Sequence, residues 1–129
     1  MPTLDEVARI ACALPEVTEG ERFRHRTWFV AGKGFVWERP LSKADLKRLG
    51  DATPPVDPIL ALRVEDLGEK EAILAEGRPG FFTIAHFDGY PAVLVELALA
   101  TEHDLRESIL DAWLACAPPR LTKPYLDRE

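Results

Sequence analysis

The residues best suited to chemistry lie in a basic segment in the first third of the chain. Alternate side chains of a β-strand point to the same face of a sheet. If residues 22–30 form one strand, one face of that strand carries Arg22, Arg24, Arg26 and Trp28. Guanidinium groups crowded together repel one another unless an anion or nearby carboxylates neutralise them. Because arginine beside an aromatic ring suits phosphate contact and base stacking, the segment predicts an anion-binding face.

Further basic and aromatic residues are expected beside this segment. A Gly-Lys-Gly turn at residues 32–34 predicts a hairpin whose second strand covers residues 35–39. The predicted basic face then consists of Arg22, Arg24, Arg26, Trp28, Lys33, Trp37, Arg39 and Arg63. The alternative is that these arginines pair with the chain's own carboxylates, which are abundant.

The charge of the chain is unevenly distributed. The 129 residues include 16 basic and 22 acidic side chains, a net charge of −6 that by itself argues against a polyanionic partner. Residues 22–48, however, contain eight basic and two acidic side chains. A basic segment within an acidic chain favours a local anion site.

A small pocket is a further interpretation of the same region. His25 and Arg26 on the first hairpin, together with His86 and Tyr90 in a later loop, could line a site for a small anionic ligand. On this interpretation the partner is a metabolite-sized anion and no polymer is needed.

Catalytic and metal-binding patterns are missing from the sequence. The histidines at positions 25, 86 and 103 are isolated, without the paired spacing typical of metal ligands. Cys12 and Cys116 are expected on apolar helical faces as small buried side chains. There is no Gly-x-Ser-x-Gly nucleophile motif. We therefore predict no metal, no cofactor and no enzymatic activity.

The elements that must position these residues follow from capping and periodicity. Helices are predicted to begin after the N-cap residues Thr3, Ser42, Asp66 and Thr101. Strands are predicted at residues 22–30, 35–39, 59–64, 81–84 and 92–97.

This order of elements predicts an α+β fold. We expect two layers, with an antiparallel sheet of about five strands packed on one face by the first and last helices. The other face would be open to a partner. A single domain over residues 1–129 is expected, with a polar tail from about residue 120. Without a signal-peptide pattern or a membrane-spanning apolar run, we expect a cytoplasmic protein with no membrane partner.

The chain resembles the MmcQ/YjbR-like family of small bacterial proteins. The resemblance lies in Ala13-Leu14-Pro15-Glu16-Val17, then His25, Phe29, Gly32, Lys33 and Phe35, then Gly89-Tyr90, Asp111-Ala112-Trp113 and Ala117-Pro118. It implies a helix, an antiparallel sheet and closing helices, similar to frataxin-like and secretion-chaperone-like architectures. Members are often labelled DNA-binding, and no enzymatic activity or cofactor defines the family.

Three functions are consistent with the sequence. The first is a non-enzymatic module that binds DNA or another nucleic acid through the basic sheet face. The alternatives are a protein-interaction adaptor and a protein that binds a small anionic ligand. The sequence does not choose between DNA and RNA, and it leaves the oligomeric state open.

Overall fold

A computed structural model describes residues 2–128, which form one six-stranded sheet and five helices. The strand order is β1-β2-β3-β4-β6-β5, and every neighbouring pair is antiparallel. The strands are β1 (Thr18–Arg22), β2 (His25–Val30), β3 (Lys33–Glu38), β4 (Ile59–Arg63), β5 (Phe81–Phe82) and β6 (Ala92–Glu96). The helices are α1 (Leu4–Cys12), α2 (Lys43–Leu49), α3 (Leu67–Ala75), α4 (Glu102–Cys116) and α5 (Pro119–Leu126). The predicted α+β class is confirmed.

The first four helices begin where the capping residues predicted. The side chains of Thr3, Ser42, Asp66 and Thr101 each accept a hydrogen bond from the backbone N–H three residues later. At α2 the bond is reciprocal, because Asp45 also accepts from the backbone N–H of Ser42. These local bonds satisfy donors that a helix start leaves unpaired, so a short sequence pattern is enough to place it.

The first and last predicted helices pack on one face of the sheet, as expected. Strand β4 alternates, with Leu60 and Leu62 facing the helices and Ile59 and Ala61 facing the other side. The Trp113 indole on α4 donates a hydrogen bond to the Pro15 carbonyl, at 3.2 Å. This bond ties the loop after α1 to the last long helix.

The other face of the sheet is partly covered, which corrects the expectation of a fully open face. A short 3-10 helix at Ala85–Phe87 packs over β4 and β6, where Phe87 joins an apolar cluster with Ile59 and Leu94. The buried Lys70 of α3 donates to the carbonyls of Phe87 and Tyr90, at 2.6 and 2.9 Å. Burial lowers the pKa of the Lys70 ammonium. Trp37 of β3 also packs against this apolar cluster.

One strand and one α-helix were not predicted from the sequence. Strand β1 is polar and largely exposed, so it lacks the alternation that marks a half-buried strand. The predicted polar tail is wrong, because its residues form α5, in which Leu121 is buried and Tyr125 packs against Trp113 with ring centroids 5.1 Å apart. Pro124 lies inside this short helix and concealed it from the pattern.

The two cysteines differ in environment. Cys116 is buried, as predicted, and burial raises the pKa of its thiol. Cys12 is exposed, contrary to the prediction. It is the last residue of α1, whose buried side is formed by Val7, Ile10 and Ala11, so its side chain points away from the core.

Candidate ligand-binding cavity

A cavity of about 660 Å³ lies on the sheet face opposite the long helices. Its walls come from the β1–β2 hairpin, from β3 and the segment after it, from the end of β4 and from residues 86–90. Its charged and titratable lining consists of the arginines at positions 22, 39 and 63, the histidines at positions 25 and 86, and one carboxylate, Glu38. The aromatic lining consists of Phe23, Trp37, Phe87 and Tyr90.

The tight turn of the β1–β2 hairpin decides which side chains reach the cavity. Phe23 and Arg24 have φ values of 54° and 69°, so they form the turn and are not part of a strand. Arg22 and His25 are therefore directly opposite each other on two strands. The prediction that Arg22, Arg24, Arg26 and Trp28 share one strand face is wrong, because the turn breaks the alternation between them.

Arg22 is positioned by its neighbours on this face. Its guanidinium carbon lies 5.3 Å from the centroid of the Phe29 ring. Gly34 leaves room beside it, since a Cβ there would lie 3.5 Å from Arg22 Nη1 and 3.1 Å from Thr27 Cγ2. Among residues 2–128, Arg22 has no ion pair within 4.0 Å.

Arg63 reaches the cavity from the end of β4. Its guanidinium carbon lies 5.2 Å from the centroid of the Tyr90 ring. The Nε atom is buried and has no hydrogen-bond partner within the described part of the chain, where Arg63 also forms no ion pair. A buried donor without a partner costs about 1–3 kcal/mol. Arg63 as a whole residue is only partly buried, and it lines the cavity.

Arg39 lines the same cavity but is already paired. Its Nη2 lies 3.1 Å from Oδ2 of the buried Asp45, and Nη1 donates to the Pro40 carbonyl. Burial alone would raise the pKa of Asp45, but hydrogen bonds from Ser42 and the charge of Arg39 together bring it below its ordinary value. Asp45 is therefore ionised and neutralises Arg39.

Arg26 and Trp28 lie on the helix side of the sheet and do not line the cavity. The Arg26 guanidinium donates to Glu19 from Nε at 2.8 Å and to Asp5 from Nη1 at 3.0 Å. The hydrogen bond with Glu19 is the main reason that the pKa of Arg26 is raised. Trp28 is fully buried and donates from Nε1 to the same Glu19 carboxylate, at 3.1 Å. Both residues hold the fold together, which corrects their predicted place on the basic face.

The other predicted site residues divide between the cavity and the surface. Arg24 and Lys33 are exposed and do not line the cavity. His25, His86 and Tyr90 all do, and the Nδ1 atom of His25 lies 3.9 Å from Glu38 Oε1.

Two aromatic residues of the cavity lining were not predicted from the sequence. On the predicted continuous strand Phe23 falls on the face opposite Arg22 and Arg24, yet it lies in the hairpin turn and is 88% exposed. Phe87 is buried beneath the loop, where its ring meets Tyr90 edge-on with centroids 5.5 Å apart. Predicting a turn at residues 23–24 would have identified Phe23 as a lining residue. Phe-Arg, however, is not a sequence typical of such a turn.

Metal binding finds no support in the part of the chain that the structure describes. Between residues 2 and 128, no group of three or more His, Cys, Asp or Glu side chains is arranged to hold a metal ion.

Comparison with known proteins assigns the family. The sequence model of the YjbR family matches residues 12–115, and the chain therefore belongs to the YjbR family. Uncharacterized proteins of Mycobacterium bovis and Mycobacterium tuberculosis are 45% identical to it over 128 residues, covering 98% of this chain and 97% of theirs. No solved structure matches the chain significantly.

Two of the motifs that carry the family resemblance are in contact in the fold. Pro15 and Trp113, from the first and last motifs, are joined by the indole hydrogen bond described above. Gly34 follows the Gly32-Lys33 motif and borders the cavity.

None of the helices within residues 2–128 is long and apolar enough to cross a membrane.

Proposed function

We propose that this chain is a non-enzymatic binding protein that holds a small organic anion in the cavity. The observation that carries the proposal is the pair Arg22 and Arg63, which line one cavity and have no ion pair within residues 2–128. Positive charge gathered in a concave site attracts anions. A guanidinium group can also bind a carboxylate or a phosphate through two parallel hydrogen bonds.

The size and lining of the cavity favour a small ligand. Its volume of about 660 Å³ lies within the range of pockets that hold metabolite-sized molecules. Aromatic walls with a few polar groups are typical of such sites. Further, Arg26 and Arg39 are occupied by carboxylates, which leaves few cations to follow a longer polyanion.

A nucleic acid is the second candidate. It is favoured by the hairpin tip, where the exposed side chains of Arg22, Phe23 and Arg24 are consecutive and offer phosphate contacts beside a stacking ring. Three or four phosphate contacts to duplex DNA would give a slope of about −3 to −4 for log affinity against log salt. A small anion that carries one or two charges would show a much weaker dependence on salt.

Isothermal titration calorimetry with defined probes tests the proposal. The anions are naphthoate, its saturated counterpart decalin carboxylate, adenosine monophosphate and ribose phosphate, and the polymer is a short DNA duplex. We expect at least one small anion to bind at one site per chain. Arg63→Gln should weaken that binding by about tenfold or more, the loss typical of a hydrogen bond to a charged group.

Arg106→Gln is the matched control, because it removes the same charge from a residue of α4 that does not line the cavity. If both variants lose the same affinity for the anion, the effect is one of net charge alone. That result would contradict binding in the cavity. If no small anion binds but the duplex binds with a steep salt dependence, the second candidate replaces the first. A cytoplasmic location and a protein partner stay predictions from the sequence.

A further inference from the structure

Phe23 lines the cavity, yet its side chain is hardly packed against the rest of the described chain. The residue is 88% exposed. Exposing a large apolar ring brings no gain in hydrophobic burial. The core of the fold therefore does not require phenylalanine at this position.

The backbone at this position also disfavours phenylalanine. Two consecutive residues with positive φ form a turn that favours Asn-Gly, because side chains with a Cβ are strained in the left-handed region. Strain of this kind in a non-glycine residue is a pointer to function. Both the packing and the backbone thus leave the Phe23 ring available to something outside the chain.

The surroundings of Phe23 indicate what that partner contains. The half-buried Trp37 and Tyr90 line the same cavity, and so do Arg22 and Arg63, for which the described chain supplies no ion pair. Aromatic walls beside cations suit a ligand with both a flat ring and a negative charge.

A larger partner finds less support at Phe23. Five other large apolar side chains are exposed between residues 2 and 128, and none of them lines the cavity. A protein partner needs an extended patch, whereas Phe23 is the only exposed large apolar side chain among the described residues that line the cavity.

We infer that the ligand of this cavity carries a planar aromatic ring next to its anionic group, and that Phe23 covers this ring. The inference rests on the proposed function and adds the chemical class of the ligand. The arginines bind the charge of the ligand, and Phe23 selects for its ring.

Paired probes of equal charge test the inference by calorimetry on the full chain. Naphthoate is compared with decalin carboxylate, and adenosine monophosphate with ribose phosphate, so each pair differs in the flat ring. We expect the ring-bearing member to bind more tightly in at least one pair. Phe23→Ala should weaken the binding of the ring-bearing anion by about fivefold or more, the lower end for loss of an aromatic stack. It should leave the affinity for the ring-free anion unchanged.

Two further variants control for changes in folding and in surface hydrophobicity. Phe23→Tyr keeps a ring and should retain the preference for the ring-bearing anion. Leu126→Ala removes an exposed apolar side chain outside the cavity and should change neither affinity.

The outcomes separate the two proposals. If ring-bearing and ring-free anions bind equally, or if Phe23→Ala weakens both to the same extent, the inference is overturned and the anion site stands. If no small anion binds, both fail together. If light scattering detects self-association that Phe23→Ala abolishes, while the preference for rings is absent, Phe23 serves contact between chains and the inference is wrong.

Discussion

Arg26 and Arg63 show how surroundings, and not residue type, decide the role of a side chain. Arg26 lies on the helix side, where Glu19 and Asp5 accept hydrogen bonds from it. Arg63 lies on the cavity side with a buried Nε that has no partner within residues 2–128. The first group stabilises the fold, whereas the second lines the cavity and forms no ion pair with the described residues.

Replacing the carboxylate that holds Arg26 should make stability depend less on pH. Hydrogen bonds from Arg26, the largest influence, lower the pKa of Glu19 below its ordinary value of 4.5. Such a carboxylate stabilises the fold above its unfolded pKa, and the contribution is lost as the pH falls through the folded pKa. We expect Glu19→Gln to reduce the free energy of unfolding at pH 7 by about 1 kcal/mol or less, because the pair is partly solvated.

Urea denaturation of both chains, at neutral pH and at about pH 3, measures this difference. The difference in the free energy of unfolding between wild type and Glu19→Gln should become smaller at the acidic pH. A gap of constant size at both pH values would show that ionisation of Glu19 does not contribute. Binding of the anionic probes should be unchanged, since Glu19 does not line the cavity.

At the scale of elements, the β1–β2 hairpin controls the site. A continuous strand over residues 22–30 would place Arg22 and Arg26 on one face. The turn at Phe23 and Arg24 instead sends the side chains of Arg22 and His25 to the cavity and Arg26 to the helix layer. Two residues with positive φ thus decide which of the clustered arginines can meet a ligand.

Exchanging the turn sequence should separate stability from binding. The double substitution Phe23→Asn with Arg24→Gly provides the residues that this turn prefers, and we expect the free energy of unfolding to rise by about 1 kcal/mol. The same change removes the Phe23 ring, so affinity for the ring-bearing probe should fall. Urea denaturation and calorimetry on one preparation measure both effects.

Arg24→Gly alone is the matched control for this experiment. It relieves part of the strain but keeps the ring, so stability should increase while affinity stays the same. A double variant that is less stable than wild type would contradict the interpretation of the turn as strained.

At the scale of the whole molecule, one face of the sheet carries the main core and the other carries the cavity. The helix face carries the main core, in which Trp28 and Trp113 are fully buried. The other face is covered over β4 and β6 and leaves the cavity beside β1–β3. The net charge of −6 is therefore a poor guide to the site. Carboxylates pair with Arg26 and Arg39, whereas Arg22 and Arg63 form no ion pair within residues 2–128.

Removal of α5 should weaken the helix layer without affecting the cavity. A chain that ends at residue 118 loses the buried Leu121 and the packing of Tyr125 on Trp113. We expect a loss of about 2 kcal/mol in the free energy of unfolding, in the range for one buried aliphatic side chain. Urea denaturation measures the loss, and calorimetry should show unchanged anion affinity.

Leu126→Ala, at the exposed end of α5, serves as the control and should change stability by less than about 0.5 kcal/mol. If the shortened chain unfolds at the same urea concentration as the full chain, α5 contributes nothing to the core.

Local signals in the sequence were sufficient for most of the fold. Capping residues such as Thr3 and Thr101 place helix starts because their hydrogen bonds involve neighbours three residues away. The alternation in β4 reports a strand with two different faces. Strand β1 was missed because its side chains are polar and largely exposed, which leaves no alternation. Helix α5 was missed because Leu121 is its one buried residue and Pro124 interrupts the helical pattern.

The sequence by itself determined the α+β class, the main helices and the presence of a basic segment, because each depends on residues close together in the chain. Only the tertiary structure decided which arginines are paired, since Glu19 and Asp5 meet Arg26 through the hairpin and α1. It also brought Arg22 and Arg63, which are distant in sequence, to one cavity. Ion pairing and cavity formation depend on distances in space, and spacing along the chain does not carry that information.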